Sequence, residues 1–168
     1  MRNKCMVVKA DDLRDLQVEE LKGLLNEGLN KLYKDDIGLI SRGGMEQSIS
    51  FRYAIYLNDL FKKVCWLKEL DLDIEYGKNG GEAKSTPRKP KGTRPDIILH
   101  KREFNCSNIL VIELKGWWNK TSRKNDIIKL EDFTHNDYGY KFRLGVLLDL
   151  RETSCEPKYY VNGSEFNG

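Results

Sequence analysis

The run "ILVIELK", residues 109–115, is the part of this sequence that most restricts the possible folds. Successive residues of a strand point to opposite faces of the sheet, and both faces of this run are apolar. A strand that is apolar on both faces lies in the middle of a sheet that is covered on both sides. The sequence therefore predicts an α/β protein in which helices flank a central sheet.

The other segments with a clear period surround this run. Apolar residues three and four positions apart predict helices, and short apolar or alternating runs predict strands. The predicted helices are residues 18–32, 45–64 and 127–133, and the predicted strands are residues 70–76, 95–101, 109–115 and 143–150. Three strands in succession suit an antiparallel meander, and the last helix suits a right-handed crossover to a parallel strand. We expect a mixed central sheet of about four strands.

A chain of 168 residues fits one domain with one core. We expect residues 1–168 to form a single domain, with a core at about 45–150, an N-terminal helix at about 12–33 and a short C-terminal tail. No apolar run reaches the length needed to span a membrane, and the first residues do not resemble a signal peptide. These features predict a cytoplasmic protein without a membrane partner.

The four cysteines contain no C-x-x-C pair, so a zinc ribbon is not expected. We expect all four to be reduced thiols. Net charge is only +3, but residues 77–94 combine six lysines and arginines with Glu82 as the sole acidic residue, a local charge of +5. This composition, rich in Gly and Pro, predicts a long mobile loop. Such a loop either contacts phosphates or is a solvated linker.

Charged residues occur at both ends of the central strands. Glu113 and Lys115 are two residues apart, so they project to the same side at the end of their strand. Asp96 begins the preceding strand, and antiparallel pairing would bring it beside them. Two neighbouring carboxylates suit Mg²⁺ or Mn²⁺, and a lysine beside them can position a water or stabilise charge on a phosphate. The alternative is that the strand simply emerges into solvent at Glu113.

The motif "RPD" at 94–96, followed after 16 residues by "ELK" at 113–115, resembles the signature of the PD-(D/E)XK nuclease superfamily. The resemblance implies a restriction-endonuclease-like core of helix, three-strand meander, helix and strand, in agreement with the predicted order. It also implies that Asp96 and Glu113 are metal ligands and that Lys115 is the catalytic lysine.

Many members of the superfamily also carry a Glu in the helix before the meander, a position that Glu46 matches. By resemblance, Glu46 would be a further metal ligand or would orient the attacking water. Its other interpretation is an acidic residue favoured in the first turn of a helix. Members also carry Asp or Lys in the helix after the E-x-K strand, where Asp126 or Lys129 could match. For Asp126, a role as an ordinary helix-start residue is favoured.

Further residues are candidates for contact with nucleic acid. Arg94 is the first candidate for a phosphate contact, together with Arg88, Lys89 and Lys91. Trp117 and Trp118 would either stack on a splayed base or anchor the chain as it leaves the sheet, with one ring facing the cleft and the other packed inward.

The function expected from these features is that of a nuclease that uses Mg²⁺ or Mn²⁺ to hydrolyse phosphodiester bonds, in DNA rather than RNA. One alternative is a catalytically silent module with the same fold that binds nucleic acid or serves in assembly. Another is an unrelated binding domain in which the charges are solvated strand ends. These features are compatible with a homodimer or with a partner protein that supplies targeting.

Overall fold

The computed structural model describes residues 8–79, 81–102 and 104–166, which form an α/β fold with a mixed sheet flanked by helices. The helices are α1 (Asp15–Asp35), α2 (Ile37–Ser41), α3 (Glu46–Phe61) and α4 (Lys124–Thr134). The strands are β1 (Asp71–Ile74), β2 (Lys78–Asn79), β3 (Glu82–Ala83), β4 (Ile97–His100), β5 (Leu110–Gly116), β6 (Leu144–Leu150), β7 (Lys158–Val161) and β8 (Ser164–Phe166). Ala10–Asp12 and Asn105–Ser107 are short 3-10 helices.

The main sheet has the strand order β1-β4-β5-β6-β7-β8. Strands β5 and β6 are parallel and α4 connects them, whereas the other neighbours are antiparallel. The meander and the parallel crossover predicted from the sequence are therefore confirmed. In the β4–β5 ladder Ile97 pairs with Ile112. Continuing this register by one residue sets Asp96 opposite Glu113.

Strand β5 separates two apolar clusters. Leu110, Ile112 and Leu114 belong to the larger cluster, which contains the buried residues of α1 and α3. Val111 belongs to the smaller cluster with residues of α4. Because alternate residues of a strand share a face, Glu113 and Lys115 lie on the α4 side of the sheet.

Helices α1 and α3 approach each other closely in the larger cluster. The leucines of α1 that are three or four residues apart form its buried face. A Cβ atom added at Gly28 would lie 2.8 Å from Leu57 Cδ2 and 3.1 Å from a ring carbon of Tyr53, both fully buried side chains. Glycine at this position therefore permits the close approach of the two helices.

The sheet has six strands rather than about four, because the C-terminal tail contributes a hairpin. Strands β7 and β8 pair antiparallel on either side of Asn162 and Gly163, which have φ angles of +49° and +76°. Positive φ at both central residues is what a tight hairpin turn requires, and Asn-Gly is its strongest sequence signal. The hairpin also carries Tyr160 into the smaller cluster, where it is buried. The Asn162–Gly163 dipeptide is the sequence signal that indicates this hairpin.

Residues 77–94 are not the extended solvated loop that their composition predicts. They contain the β2–β3 hairpin, and Thr86 Oγ1 donates a hydrogen bond to Asp132 Oδ2 of α4 at 2.6 Å. Lys84 is only 2% exposed and lies over the rings of Tyr76 and Tyr140, 5.3 and 4.9 Å from their centroids. Burial lowers the pKa of Lys84 to about 8. A buried carboxylate on α4 and an aromatic pair thus order a segment that looks disordered by composition.

Two other expectations concern the cysteines and membranes. Cys106 and Cys155 are free thiols, but Cys65 is disulfide-bonded, so the expectation of a reduced thiol is wrong there. Cys5 lies outside the described residues. Among the described helices, α1 is the longest, and none of them combines the length and apolar character needed to cross a membrane.

Candidate active site

Asp96, one residue before β4, and Glu113, the fourth residue of β5, come together on the face of the sheet that α4 covers. The Oδ2 atom of Asp96 accepts a hydrogen bond from the backbone N–H of Leu114 at 2.7 Å, which holds the carboxylate against β5. The charge of Asp96 also raises the pKa of Glu113, which indicates that the two carboxylates interact. The strand pairing expected from the sequence is what places them side by side.

Glu113 is the most buried acidic group of this site, with 1% of its surface exposed. Burial, and after it the charge of Asp96, raises the pKa of Glu113 well above its usual range, although Lys129 acts in the opposite direction. The Oε2 atom accepts a hydrogen bond from Lys129 Nζ. The Oε1 atom is buried and has no hydrogen-bond partner among the described residues. Leaving such an atom unpaired costs about 1–3 kcal/mol, so a water molecule or a cation at Oε1 would stabilise the site.

The lysine beside Glu113 is Lys129 of α4 rather than Lys115. The Nζ atom of Lys115 lies 3.2 Å from Asp126 Oδ2, also on α4, and Lys129 Nζ lies 3.6 Å from Asp126 Oδ1. Asp126 and Lys129 are three residues apart, so they share the face of α4 that points to the sheet. The site therefore contains two carboxylates from the strands, a carboxylate and a lysine from α4, and Lys115 of β5 in an ion pair with Asp126.

Glu46 reaches the site from the opposite layer, in the first turn of α3. Its Oε1 atom accepts hydrogen bonds from the backbone N–H of Gly116 at 2.9 Å and from Asn119 Nδ2 at 2.8 Å. Burial is the main cause that raises the pKa of Asp96, and the charge of Glu46 adds to it. Glu46 thus fixes the turn that follows β5 and lies close enough to influence Asp96.

Trp117 and Trp118 anchor the chain where it leaves β5. Trp117 Nε1 donates a hydrogen bond to the carbonyl oxygen of Ile40 at 3.0 Å, and the two rings meet edge to face with centroids 5.9 Å apart. Both side chains are half-buried and pack against the larger apolar cluster. Both rings therefore have packing partners, and each keeps part of its surface exposed.

The four basic residues proposed to contact phosphate have different surroundings. Arg88 forms ion pairs with Glu131 and Asp132, and Lys89 Nζ donates to Asn125 Oδ1 at 2.9 Å. Both hold the 77–94 segment on α4. Lys91 is exposed. The side chain of Arg94 is 62% exposed, with its guanidinium 3.4 Å from Glu75. Arg94 and Lys91 are consequently the cations of this group that solvent reaches most freely.

His100 lies on the same face of β4 as Asp96 but has a structural partner. Its Nε2 atom donates to Asp73 Oδ2 at 2.9 Å, and Arg102 also binds both oxygens of Asp73. Burial raises the pKa of Asp73, but the hydrogen bonds from His100 and Arg102 outweigh it and hold that pKa well below its usual range. This arrangement ties β1 to β4 at the edge of the sheet.

The Asp73 network predicts a loss of stability in acid. A carboxyl group whose pKa is lower in the folded than in the unfolded state stabilises the fold above the unfolded pKa, and this contribution declines as pH falls below about 4. Asp73→Asn should lower the free energy of unfolding by about 2 kcal/mol at neutral pH, as expected for hydrogen bonds to a charged group. Urea unfolding of both proteins from pH 7 to pH 2 measures this. If the two proteins differed in free energy of unfolding by the same amount at pH 7 and at pH 2, the stabilising role of the Asp73 charge would be contradicted.

The oxygen donors of the site suit a hard divalent cation. Within residues 8–79, 81–102 and 104–166, no three or more His, Cys, Asp or Glu residues are grouped to hold a metal ion. Mg²⁺, however, is commonly bound by one or two carboxylates and keeps several waters. Asp96 and Glu113 provide such a pair, and the Oε1 atom of Glu113 has no hydrogen-bond partner among the described residues. The residues present therefore fit Mg²⁺ or Mn²⁺ held by two carboxylates.

No family model matches the chain, and neither the curated proteins nor the solved structures yielded a match. Any assignment of function consequently depends on the chemistry of the site at the end of β5 and on the motif that the sequence carries there.

Proposed function

We propose that this protein is a metal-dependent nuclease that hydrolyses phosphodiester bonds in DNA, built on a restriction-endonuclease-like core of the PD-(D/E)XK type. The observation that carries the proposal is Glu113, a buried carboxylate of the central strand that lies beside Asp96 and has one oxygen without a hydrogen-bond partner among the described residues. Two lysines accompany these carboxylates. Buried charges of both signs at one strand end are costly for stability alone, which favours a functional explanation.

Asp96 and Glu113 would hold Mg²⁺ or Mn²⁺. When bound, such an ion polarises a phosphoryl oxygen and lowers the pKa of water. The role of the chain is to aim the two carboxylates, and the backbone N–H of Leu114 does this for Asp96. Glu46 supports the same end of β5 by holding Gly116 and Asn119.

Lys115 would stabilise the negative charge that grows on the phosphate during hydrolysis. Its side chain is 14% exposed, and its ammonium forms an ion pair with Asp126 at 3.2 Å. A charge that is largely withdrawn from water acts more strongly on a nearby phosphate than one in solvent. Asp126 is therefore a positioning residue for Lys115 in this proposal.

The substrate backbone would meet the exposed cations beside the site. Arg94 is two residues before Asp96, and its carbonyl oxygen lies 3.5 Å from Lys129 Nζ, so its backbone adjoins the carboxylates. Contacts from Arg94 and Lys91 to phosphates would not depend on the base sequence of the DNA, and the affinity that they provide would decrease with salt concentration. These contacts favour weakly specific cutting.

A second candidate function is a silent module that binds nucleic acid or serves in assembly. The ion pairs of the site favour it, because Lys129 and Lys115 already neutralise carboxylates without a metal ion. The absence of a three-residue ligand group within the described ranges favours it as well. Such a module would retain salt-dependent binding without hydrolysis.

Cleavage assays test the proposal. Purified protein is incubated with circular DNA, linear DNA and RNA, each with Mg²⁺, Mn²⁺ or EDTA. We expect metal-dependent cutting of DNA that Asp96→Ala and Lys115→Ala reduce by on the order of 10²-fold or more. Lys124→Ala is a matched control, since this lysine of α4 is exposed and the structure shows no ion pair for its ammonium among the described residues.

The outcomes separate the candidates. Cutting that persists in both site variants would refute the assignment of the site. If no DNA or RNA is cut, but DNA is bound in a salt-sensitive manner, the silent module is correct. Preferential cutting of RNA would retain the site and change the substrate.

A further inference from the structure

The ammonium group of Lys129 lies among the carboxylates of the proposed metal site. It contacts Glu113 Oε2, and it lies 3.6 Å from Asp126 Oδ1 and 3.5 Å from the carbonyl oxygen of Arg94. Burial lowers the pKa of Lys129, but the charges of Glu113, Asp96 and Asp126 outweigh burial and raise it. The chain thus places its own cation where the negative charge of the site is concentrated.

We propose that Lys129 is an internal counter-cation that a divalent metal ion must displace from Glu113, and that Asp126 retains the ammonium after displacement. This inference rests on the proposed metal site, but it concerns how the chain controls access of the ion to that site. Lys129 is a positioning residue in this scheme, because it acts through Glu113.

The first argument is electrostatic. A metal ion held by Asp96 and Glu113 would lie close to the Lys129 ammonium in a buried site, where like charges repel strongly. The Oε2 atom of Glu113 is already used by Lys129, whereas the Oε1 atom has no partner among the described residues. An ion can therefore approach Glu113 at Oε1, and the repulsion then drives the ammonium away from Oε2.

The second argument is that α4 offers the ammonium another position. Asp126 is one turn earlier on the same face of α4, and its Oδ1 atom is slightly beyond hydrogen-bond distance of Lys129. The other oxygen of Asp126, Oδ2, lies 3.2 Å from Lys115 Nζ, an ion-pair distance, but has no hydrogen-bond partner among the described residues. A lysine side chain is flexible, so a small movement transfers the ammonium from Glu113 to Asp126. The positive charge then stays close to the site.

The test is direct measurement of Mn²⁺ binding by calorimetry, without nucleic acid. Mildly alkaline buffer is used, because protons then compete least for the carboxylates. Removing the competing charge in Lys129→Met should tighten binding of Mn²⁺ by about tenfold or more. Lys129→Arg keeps the charge and should bind Mn²⁺ as wild type does. Lys124→Met removes one positive charge from an exposed position of α4 and should leave the affinity unchanged.

A second variant and a second measurement guard against loss of folding. Lys129→Met leaves Glu113 buried without its cation, so Lys129→Gln is prepared as well, because its amide can still donate a hydrogen bond to Glu113. Thermal unfolding with and without Mn²⁺ reports binding through the shift in Tm. We expect a larger shift for both variants than for wild type. Equal or smaller shifts in both would overturn the inference.

The results distinguish the inference from the proposed function. If wild type cuts DNA and Lys129→Met binds Mn²⁺ no more tightly, the counter-cation role is refuted and the nuclease stands. If wild type cuts nothing and Lys129→Met binds Mn²⁺ more tightly, the counter-cation role stands and the nuclease is refuted. If none of the proteins binds Mn²⁺ and no nucleic acid is cut, both are refuted.

Discussion

Glu113→Gln is expected to reduce cleavage of DNA by on the order of 10²–10³-fold, the size of effect that follows loss of one preorganised electrostatic group. Glutamine keeps the shape of the side chain but removes the charge that a divalent cation requires. Glu113 is 1% exposed, and burial raises its pKa, so a neutral side chain suits this position sterically and electrostatically. The loss of activity should therefore occur in a folded protein. Single-turnover cleavage with Mg²⁺ measures the rate.

The control for this variant is Glu27→Gln, which removes a carboxylate from an exposed position of α1. Its cleavage rate should equal that of wild type. Circular dichroism and thermal unfolding establish whether Glu113→Gln is folded. The Lys129 ammonium keeps a carboxylate partner in this variant, because Asp126 Oδ1 lies 3.6 Å from it in the wild-type structure. A folded Glu113→Gln protein with wild-type cleavage would exclude Glu113 as a metal ligand.

Gly116→Ala is expected to lower the free energy of unfolding by about 1–3 kcal/mol, the usual cost of inserting a group into a packed site. A Cβ atom at this position would lie 2.3 Å from Trp118 Cζ2. The ring has little space to retreat, because Trp118 also packs against Gly43 and meets the ring of Trp117. The backbone N–H of Gly116 donates to Glu46, so displacement of this turn should disturb the site as well.

Urea unfolding monitored by tryptophan fluorescence measures the stability of Gly116→Ala. Gly139→Ala is the matched control, since a Cβ atom there meets nothing within 4 Å, and its effect should stay within about 0.5 kcal/mol. At urea concentrations too low to unfold Gly116→Ala, its rate of DNA cleavage should still be lower than that of wild type. Unchanged stability would mean that Trp118 is not held against β5 in solution.

Much of the fold follows from patterns that are local in the chain. The two apolar faces of "ILVIELK" predict the central strand, and the periodic segments predict α1, α3 and α4. Such patterns report burial along one element and are visible without its neighbours. The β7–β8 hairpin was missed because its strands are short, although Asn162 and Gly163 mark the turn.

The segment 77–94 shows where composition misleads. Its glycines, prolines and lysines are typical of solvated loops, but Asp132 is buried in α4 and pairs with Arg88. Because this carboxylate is 44 residues from Arg88 in the sequence, the segment itself contains no sign that it is ordered. For that reason the ion pairs of Arg88 with Glu131 and Asp132 could not be predicted from the composition of the segment.

By itself, the sequence determined that Asp96, Glu113 and Lys115 lie at the ends of adjacent core strands, because side-chain alternation and antiparallel pairing follow from backbone geometry. Only the tertiary structure decided which charges meet. Lys129 pairs with Glu113 and Lys115 faces Asp126, since α4 packs across the end of β5. The physical reason is that ion pairs depend on distances of a few ångströms between side chains from different elements, and spacing along one strand contains no information about them.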